Sequence, residues 1–146
     1  MSASNAFETA VLNLYFNNSN HANIGDATGV RGSTTAGVFY ISLHTADPGE
    51  TGNQTTSEAT YTSYARVSVA RSGAGWTISN PTVSNAAAVT FPACTGGSNT
   101  ITHFGIGTDV SGAGNLLFSG ALSASLAVSA GITPNFASGQ LTTTVD

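Results

Sequence analysis

The sequence predicts a mainly β fold: a single antiparallel β-sandwich or barrel of about eight short strands, with one α-helix at its N-terminus. Three observations predict it. From residue 38 onward, short apolar runs alternate with polar residues at a period of two and are divided by Gly, Pro, Asn and Asp. Helical spacing is confined to one stretch near the N-terminus. A hydrophobic content of 40% in 146 residues is enough to bury one real core. The expected organisation is a helix over residues 1–18 packing on the β domain, a Gly/Thr/Asn-rich loop or contact arm over 19–37, and the β domain over 38–146.

The helix begins at Ser4, a good N-cap, with Glu8 in the first turn, where an acid suits the helix dipole. Phe7, Ala10, Val11, Leu14 and Tyr15 follow the i, i+3, i+4, i+7, i+8 spacing of one face. Asn17, Asn18 and Asn20 end the run, because their side chains compete for the backbone. Leu12 and Phe16 form a second apolar pair on nearly the opposite face. The five-residue face is expected to pack on the β domain. Leu12 and Phe16 are then candidate contacts to a neighbouring molecule, or else lie under a loop of the same chain. Residues 19–37 carry few large apolar side chains beyond Ile24 and Val30, and a loop of that length is often a contact element.

Among the strands, Phe39, Ile41 and Leu43 alternate with Tyr40, Ser42 and His44. Asp47-Pro48-Gly49-Glu50-Thr51-Gly52 is turn chemistry. Val67 and Val69, then Trp76 and Ile78, then Ala87, Val89 and Phe91 continue the pattern, and Pro92 closes the last run. Residues 101–106, 116–122, 126–128 and 141–145 complete the set, with a Gly-rich turn over 109–115.

Composition excludes several functions. Only 7% of residues are charged, against a norm of about 25%. There are three arginines (Arg31, Arg66, Arg71), seven acids and no lysine, while Ser and Thr number 39 and Asn 12. With a net charge of −4 the chain lacks the cations that displace phosphate counterions, so nucleic acid is a poor partner. No basic amphipathic stretch suits a membrane surface, and no apolar run reaches the ~20 residues of a spanning helix. The N-terminus lacks a cationic region, and Glu8 and Asn13 interrupt its apolar residues, so no cleaved signal peptide is expected. A single cysteine, Cys94, forbids an internal disulfide and reads as a buried, inert thiol.

Catalytic constellations are weak. His44, Asp47, Glu50 and Glu58 lie close in sequence, but their spacing matches no Ca²⁺ loop. The turn reading of Asp47-Pro48-Gly49 with a solvated His44 is preferred. His103 with Asp109 is the one candidate base and acid, set against a satisfied strand histidine. His21 near Asp26 shows no ligand spacing. Nucleophile elbows and phosphate loops are absent. No enzyme, metal or cofactor is expected. Tyr61, Tyr64 and Arg66 cluster before a strand, with Trp76 following. Such residues are favoured at binding hot spots and can stack on sugars, though ordinary cross-strand packing is the plainer use. Tyr61, Tyr64 and Arg66 therefore join Leu12 and Phe16 as candidate partner contacts.

The order of blocks is distinctive. Tyr40-Ile41-Ser42-Leu43-His44-Thr45-Ala46-Asp47-Pro48-Gly49-Glu50-Thr51-Gly52 is followed by Glu58 and by Tyr64-Ala65-Arg66. Asn85-Ala86-Ala87-Ala88-Val89-Thr90-Phe91-Pro92 comes next, then Ile101-Thr102-His103-Phe104-Gly105-Ile106, then Gly114-Asn115-Leu116-Leu117-Phe118-Ser119-Gly120-Ala121-Leu122. Over residues 38–146 this resembles a family of small tailed-bacteriophage virion proteins usually labelled tail-fibre proteins. The resemblance implies a non-enzymatic virion structural protein, a tail or tail-fibre-associated module assembling in multiple copies as a homo-oligomer beside other virion proteins. Two alternatives stand beside it: a decoration (cement) protein on the capsid surface, and an adhesion module that binds host-surface glycan.

Overall fold

In a computed structural model the chain is mainly β, and residues 3–26, 29, 30, 32 and 34–144 are described. The elements in chain order are α1 (Asn5–Phe16), β1 (His21–Asp26), β2 (Gly29–Val30), β3 (Val38–His44), β4 (Val67–Ala70), β5 (Trp76–Ser79), β6 (Thr82–Asn85), β7 (Val89–Thr90), β8 (Ser98–Gly107), β9 (Leu116–Ser129), β10 (Asn135–Phe136) and β11 (Thr142–Thr144). No sheet closes on itself, so the sandwich alternative holds over the barrel. The chain divides into two compact units. One comprises Met1–Val38, Ala70–Ala88 and Phe136–Asp146; the other comprises Phe39–Val69 and Val89–Asn135.

In the first unit, Ser4 caps α1 by accepting the Phe7 N–H, and Asn17 closes it, as the sequence predicts. Asn18 turns the chain away at φ 54°, a left-handed conformation that asparagine tolerates. The helix has no basic residue in its last turn. Arg71 supplies that charge from elsewhere, donating from Nε to the Tyr15 carbonyl (2.6 Å), from Nη2 to Leu14 O (3.0 Å) and from Nη1 to Ala36 O (2.9 Å). The carbonyls at a helix C-terminus have no partner within the helix, so a guanidinium fork suits them.

The helix faces are the reverse of the expectation. Leu12 and Phe16 are fully buried, whereas Phe7 is 48% and Tyr15 51% exposed. Phe16 meets Trp76 edge-on, with ring centroids 4.8 Å apart. The inward stripe is Glu8, Leu12 and Phe16, one residue per turn at i, i+4 spacing. Counting apolar residues favours the broader face; the indole of Trp76 decides in favour of the pair. Leu12 and Phe16 are thus core residues of the first unit.

Strands β11, β6 and β5 form an antiparallel sheet in that order, with Trp76 opposite Asn85 and Thr142 opposite Ser84. Asn85, 1% exposed, ties its end together. Its Nδ2 donates to Ala87 O (2.7 Å) and Ala137 O (2.9 Å), and its Oδ1 accepts the Leu141 N–H (2.9 Å). Within 19–37, expected as loop, β1 and β2 pair antiparallel, and Asn20 Oδ1 accepts the Gly32 N–H. Arg31 lies outside the described residues.

The second unit holds a sheet ordered β4-β3-β8-β9. Ile41 pairs with Ile106 and Leu43 with Phe104, so Phe39, Ile41, Leu43, Phe104 and Ile106 form one apolar face. The expected strands over 116–122 and 126–128 are one fourteen-residue strand, β9, while β6 carries too few large apolar residues to stand out in the sequence. Strand β3 is buried on both faces, because Ser42 and His44 are covered as well as their apolar neighbours.

Two substitutions check the helix assignment. Leu12→Asp is expected to cost about 3–5 kcal/mol, since it forces an unpaired charge into the core. Tyr15→Asp is expected to change stability by less than about 0.5 kcal/mol, as for an exposed site. Urea unfolding followed through Trp76 fluorescence measures both.

Candidate functional site

The second unit carries its polar chemistry where residues 45–58 fold back over the sheet. Two glycines admit this segment. A Cβ on Gly107 would lie 2.2 Å from Gln54 Cδ, and one on Gly105 would lie 2.6 Å from Ser42 Oγ and 2.7 Å from His44 Nε2. Gln54 is fully buried and exchanges two hydrogen bonds with Asp109: its Nε2 donates to Asp109 O (3.3 Å), and its Oε1 accepts the Asp109 N–H (2.9 Å). The Gln54 N–H donates to Ala113 O (2.8 Å), so the segment is fastened to the turn after β8.

Beneath it lies a buried ion pair. Arg66 Nε donates to Glu58 Oε1 (2.6 Å) and Nη2 to Glu58 Oε2 (2.8 Å), a bidentate fork. The same guanidinium reaches Asp109 O (2.9 Å) and Gly112 O (2.7 Å). The Arg66 side chain is 2% exposed and that of Glu58 16%. The hydrogen bonds to Glu58 hold the Arg66 pKa above its ordinary value, and burial opposes them less strongly. Tyr64 Oη donates to Glu58 Oε1 (2.9 Å) and accepts the Leu43 N–H (3.0 Å), and burial pushes its pKa up. Tyr61 donates to Pro92 O (3.0 Å), and burial raises its pKa to about 12.

His44 is fully buried beside this cluster. Its Nδ1 lies 2.8 Å from the Thr56 carbonyl, which can only accept, so Nδ1 carries the proton. In the neutral ring Nε2 then accepts from Ser42 Oγ at 2.8 Å. Burial lowers the His44 pKa below its ordinary value, with lesser help from the charges of Arg66 and His103. The bond to Thr56 and the charge of Glu58 oppose the shift.

Above this base the turn Asp47–Gly52 is held from within. Pro48 is buried, Asp47 Oδ1 accepts the Gly49 N–H (2.9 Å), and the Gly52 N–H donates to Gly49 O (3.1 Å). Asp47, Gly49, Glu50 and Gly52 line one side of an open cleft of about 400 Å³, and Leu116, Leu117, Phe118 and Ser119 of β9 line the other. Both carboxylates are exposed there. Among the described residues no group of three or more His, Cys, Asp or Glu stands close enough to hold a metal ion.

The sequence profile of a family described as podophage GP4 fiber I protein gp80 matches residues 2–144. The chain belongs to this podophage fibre family. No individual curated protein matches it. A fibre family places the protein in the virion, and no helix among the described residues is long and apolar enough to cross a membrane.

In this fibre protein the residues singled out from the sequence fall differently from the expectation. Tyr61 (3% exposed) and Arg66 (8%) are buried, and Tyr64 spends its hydroxyl on Glu58 and Leu43, so these three make the unit's interior. Tyr64 also stacks on Phe91, at 10° between ring planes. Trp76, at 1% exposure, offers no sugar platform. The expected solvated His44 is buried instead. His103 Nδ1 meets Thr102 Oγ1 (2.9 Å), while the Asp109 carboxylate takes a short hydrogen bond from Thr108 Oγ1, so no bond joins the proposed base and acid. Cys94 is buried, and its thiol donates to the Gly96 carbonyl. Sequence reading missed Gln54 and the two glycines under it. Their signal is the Gly105-x-Gly107 spacing, which places both on one face of β8.

Removing one partner of the ion pair leaves the other buried and uncompensated. Arg66→Met is expected to cost about 3–5 kcal/mol by urea unfolding, and more than the exposed Asp47→Asn. The His44 shift also has a sign. The unfolded chain takes up the proton first as pH falls, so this stability is complete above the ordinary value of 6.5 and is lost as pH drops through the folded value. The urea midpoint should therefore fall from about pH 7.5 to about pH 5.5, and fall less in His44→Asn.

Proposed function

We propose that the chain is a non-enzymatic structural module of a podophage fibre, mounted at the tail and present in multiple copies. The family match over nearly the whole chain carries the reading. Two features support it. The groups that resemble catalytic equipment, His44, Glu58, Tyr64 and Arg66, all hydrogen-bond within the second unit. The low charge of the chain lets copies stand close without strong repulsion.

Quantitative mass spectrometry of purified virions, with immunogold labelling, tests this reading. Several copies per particle and label at the tail are expected. Absence from the particle would overturn the virion role, and label spread over the head would overturn the tail placement in favour of capsid decoration. Contacts made with so few charges should also survive a change from low to molar salt. Virions that shed the protein in high salt would show that ion pairs hold it.

A further inference from the structure

The cleft of the second unit joins a polar wall to an apolar one. On the polar side stand the exposed carboxylates of Asp47 and Glu50. On the apolar side stand Leu117, 37% exposed, and the half-buried Phe118. The polar wall is held in place from within. Pro48 is buried, Asp47 Oδ1 accepts the Gly49 N–H, and a Cβ on Gly52 would strike the Pro48 carbonyl, so the turn is folded tightly on itself. Gly49, at φ 68°, has nothing within 4 Å of where a Cβ would stand, which keeps its part of the wall low and open. Further along, Gln54 fastens the segment to the turn after β8. Groups fixed in advance lose little freedom when a ligand arrives.

We propose that this cleft binds a neutral saccharide, one or two rings of a longer glycan. A sugar ring carries hydroxyls on its rim and C–H groups on its faces, and the two walls answer both. An ionised carboxylate only accepts, and its hydrogen bonds from O–H donors are short and charge-assisted. Asp47 keeps Oδ2 for such a bond while Oδ1 serves Gly49, and Glu50 is exposed beside it. Leu117 and Phe118 offer the C–H face an apolar surface. The volume of about 400 Å³ lies within the range of small-molecule sites, and the open mouth lets the rest of the glycan leave.

Charge selects the class of sugar. Uronic acids and sugar phosphates call for a cation, and among the described residues none lines the cleft. Arg66 is committed to Glu58 and two carbonyls, Arg71 to three carbonyls of the first unit, and the chain has no lysine. Bridging through a metal ion is disfavoured as well, because the described residues gather no group of three or more His, Cys, Asp or Glu. A lysine or arginine of a partner would meet the same carboxylates, but exposed ion pairs contribute little. Hydroxyls with an apolar ring face use both walls. The proposal adds ligand recognition to the structural role and is independent of copy number.

An array of bacterial polysaccharides and their neutral, amino and acidic fragments, probed with the full chain, tests the site. Binding to at least one neutral glycan is expected, and it should persist from low salt to about 0.5 M. Asp47→Asn keeps an oxygen for the Gly49 N–H, so the turn survives. It and Glu50→Gln should each weaken binding about tenfold, with near-ultraviolet circular dichroism unchanged. Ser68→Asn, exposed on β4, should bind like the natural chain. No neutral glycan bound overturns the proposal, and so does binding that both carboxylate substitutions leave intact. Acidic glycans bound as tightly as neutral ones overturn the choice of class. Binding only to amino sugars, lost at high salt, replaces hydroxyl recognition by ion pairing, and binding abolished by EDTA replaces it by a metal ion. None of these outcomes touches the virion role, which the composition of the particle decides.

Discussion

Backbone carbonyl oxygens without a secondary-structure partner are the constraint around which this chain is arranged, and arginine is how it meets them. There are three arginines in 146 residues and no lysine. Arg71 gathers the carbonyls of Leu14, Tyr15 and Ala36 at the end of α1, and Arg66 gathers those of Asp109 and Gly112 in the turn after β8. A guanidinium presents five donors in a planar fork, which an ammonium cannot imitate. In each unit one buried or half-buried cation therefore fixes an irregular stretch of backbone. Arg66 goes further, because Glu58 neutralises it and Tyr64 links that carboxylate to the Leu43 N–H of β3.

The consequence in the second unit is a sheet covered on both faces. A β-strand that alternates apolar and polar residues normally turns its polar side to water. In β3 that side is Ser42 and His44, and both are buried beneath residues 45–58. Burial of such groups is tolerable only with their hydrogen bonds made, and each finds a partner within the segment or the strand. The glycines at 105 and 107 are the steric counterpart. Without side chains they let Ser42, His44 and Gln54 lie directly on the backbone of β8.

These relations set how much was legible in the sequence. The helix with its Ser4 cap, the inward row Phe39, Ile41 and Leu43, and the mainly β class follow from local spacing and turn chemistry, which act over a few residues. The inward face of α1 did not follow, because it depends on Trp76, sixty residues beyond Phe16. The burial of Tyr61 and Arg66 did not follow for a related reason. Tyrosine and arginine suit a hot spot and a buried polar cluster equally well, and only the position of Glu58 distinguishes the two. Strand β9 reads as two runs in the sequence because the irregularity opposite Thr102 interrupts the alternation, although the ladder to β8 resumes beyond it.

With Arg66 and Arg71 held on carbonyls, charge is not what this fibre protein has to offer a partner over most of its described residues. The exposed carboxylates of Asp47 and Glu50 are local exceptions beside the cleft. What the exposed surface offers instead is apolar side chains and the hydrogen bonds of hydroxyls, amides and backbone. A strand edge supplies the second in a fixed repeat of about 3.3 Å per residue, and its register is set wherever a bulge ends the pairing. Backbone pairing also differs from ion pairing in its dependence on conditions. It is little screened by salt, and it is indifferent to the identity of side chains that point away from the edge. In a protein rich in hydroxyls, amides and glycine, hydrogen bonds of side chains and of free strand edges alike are available where ion pairs are scarce.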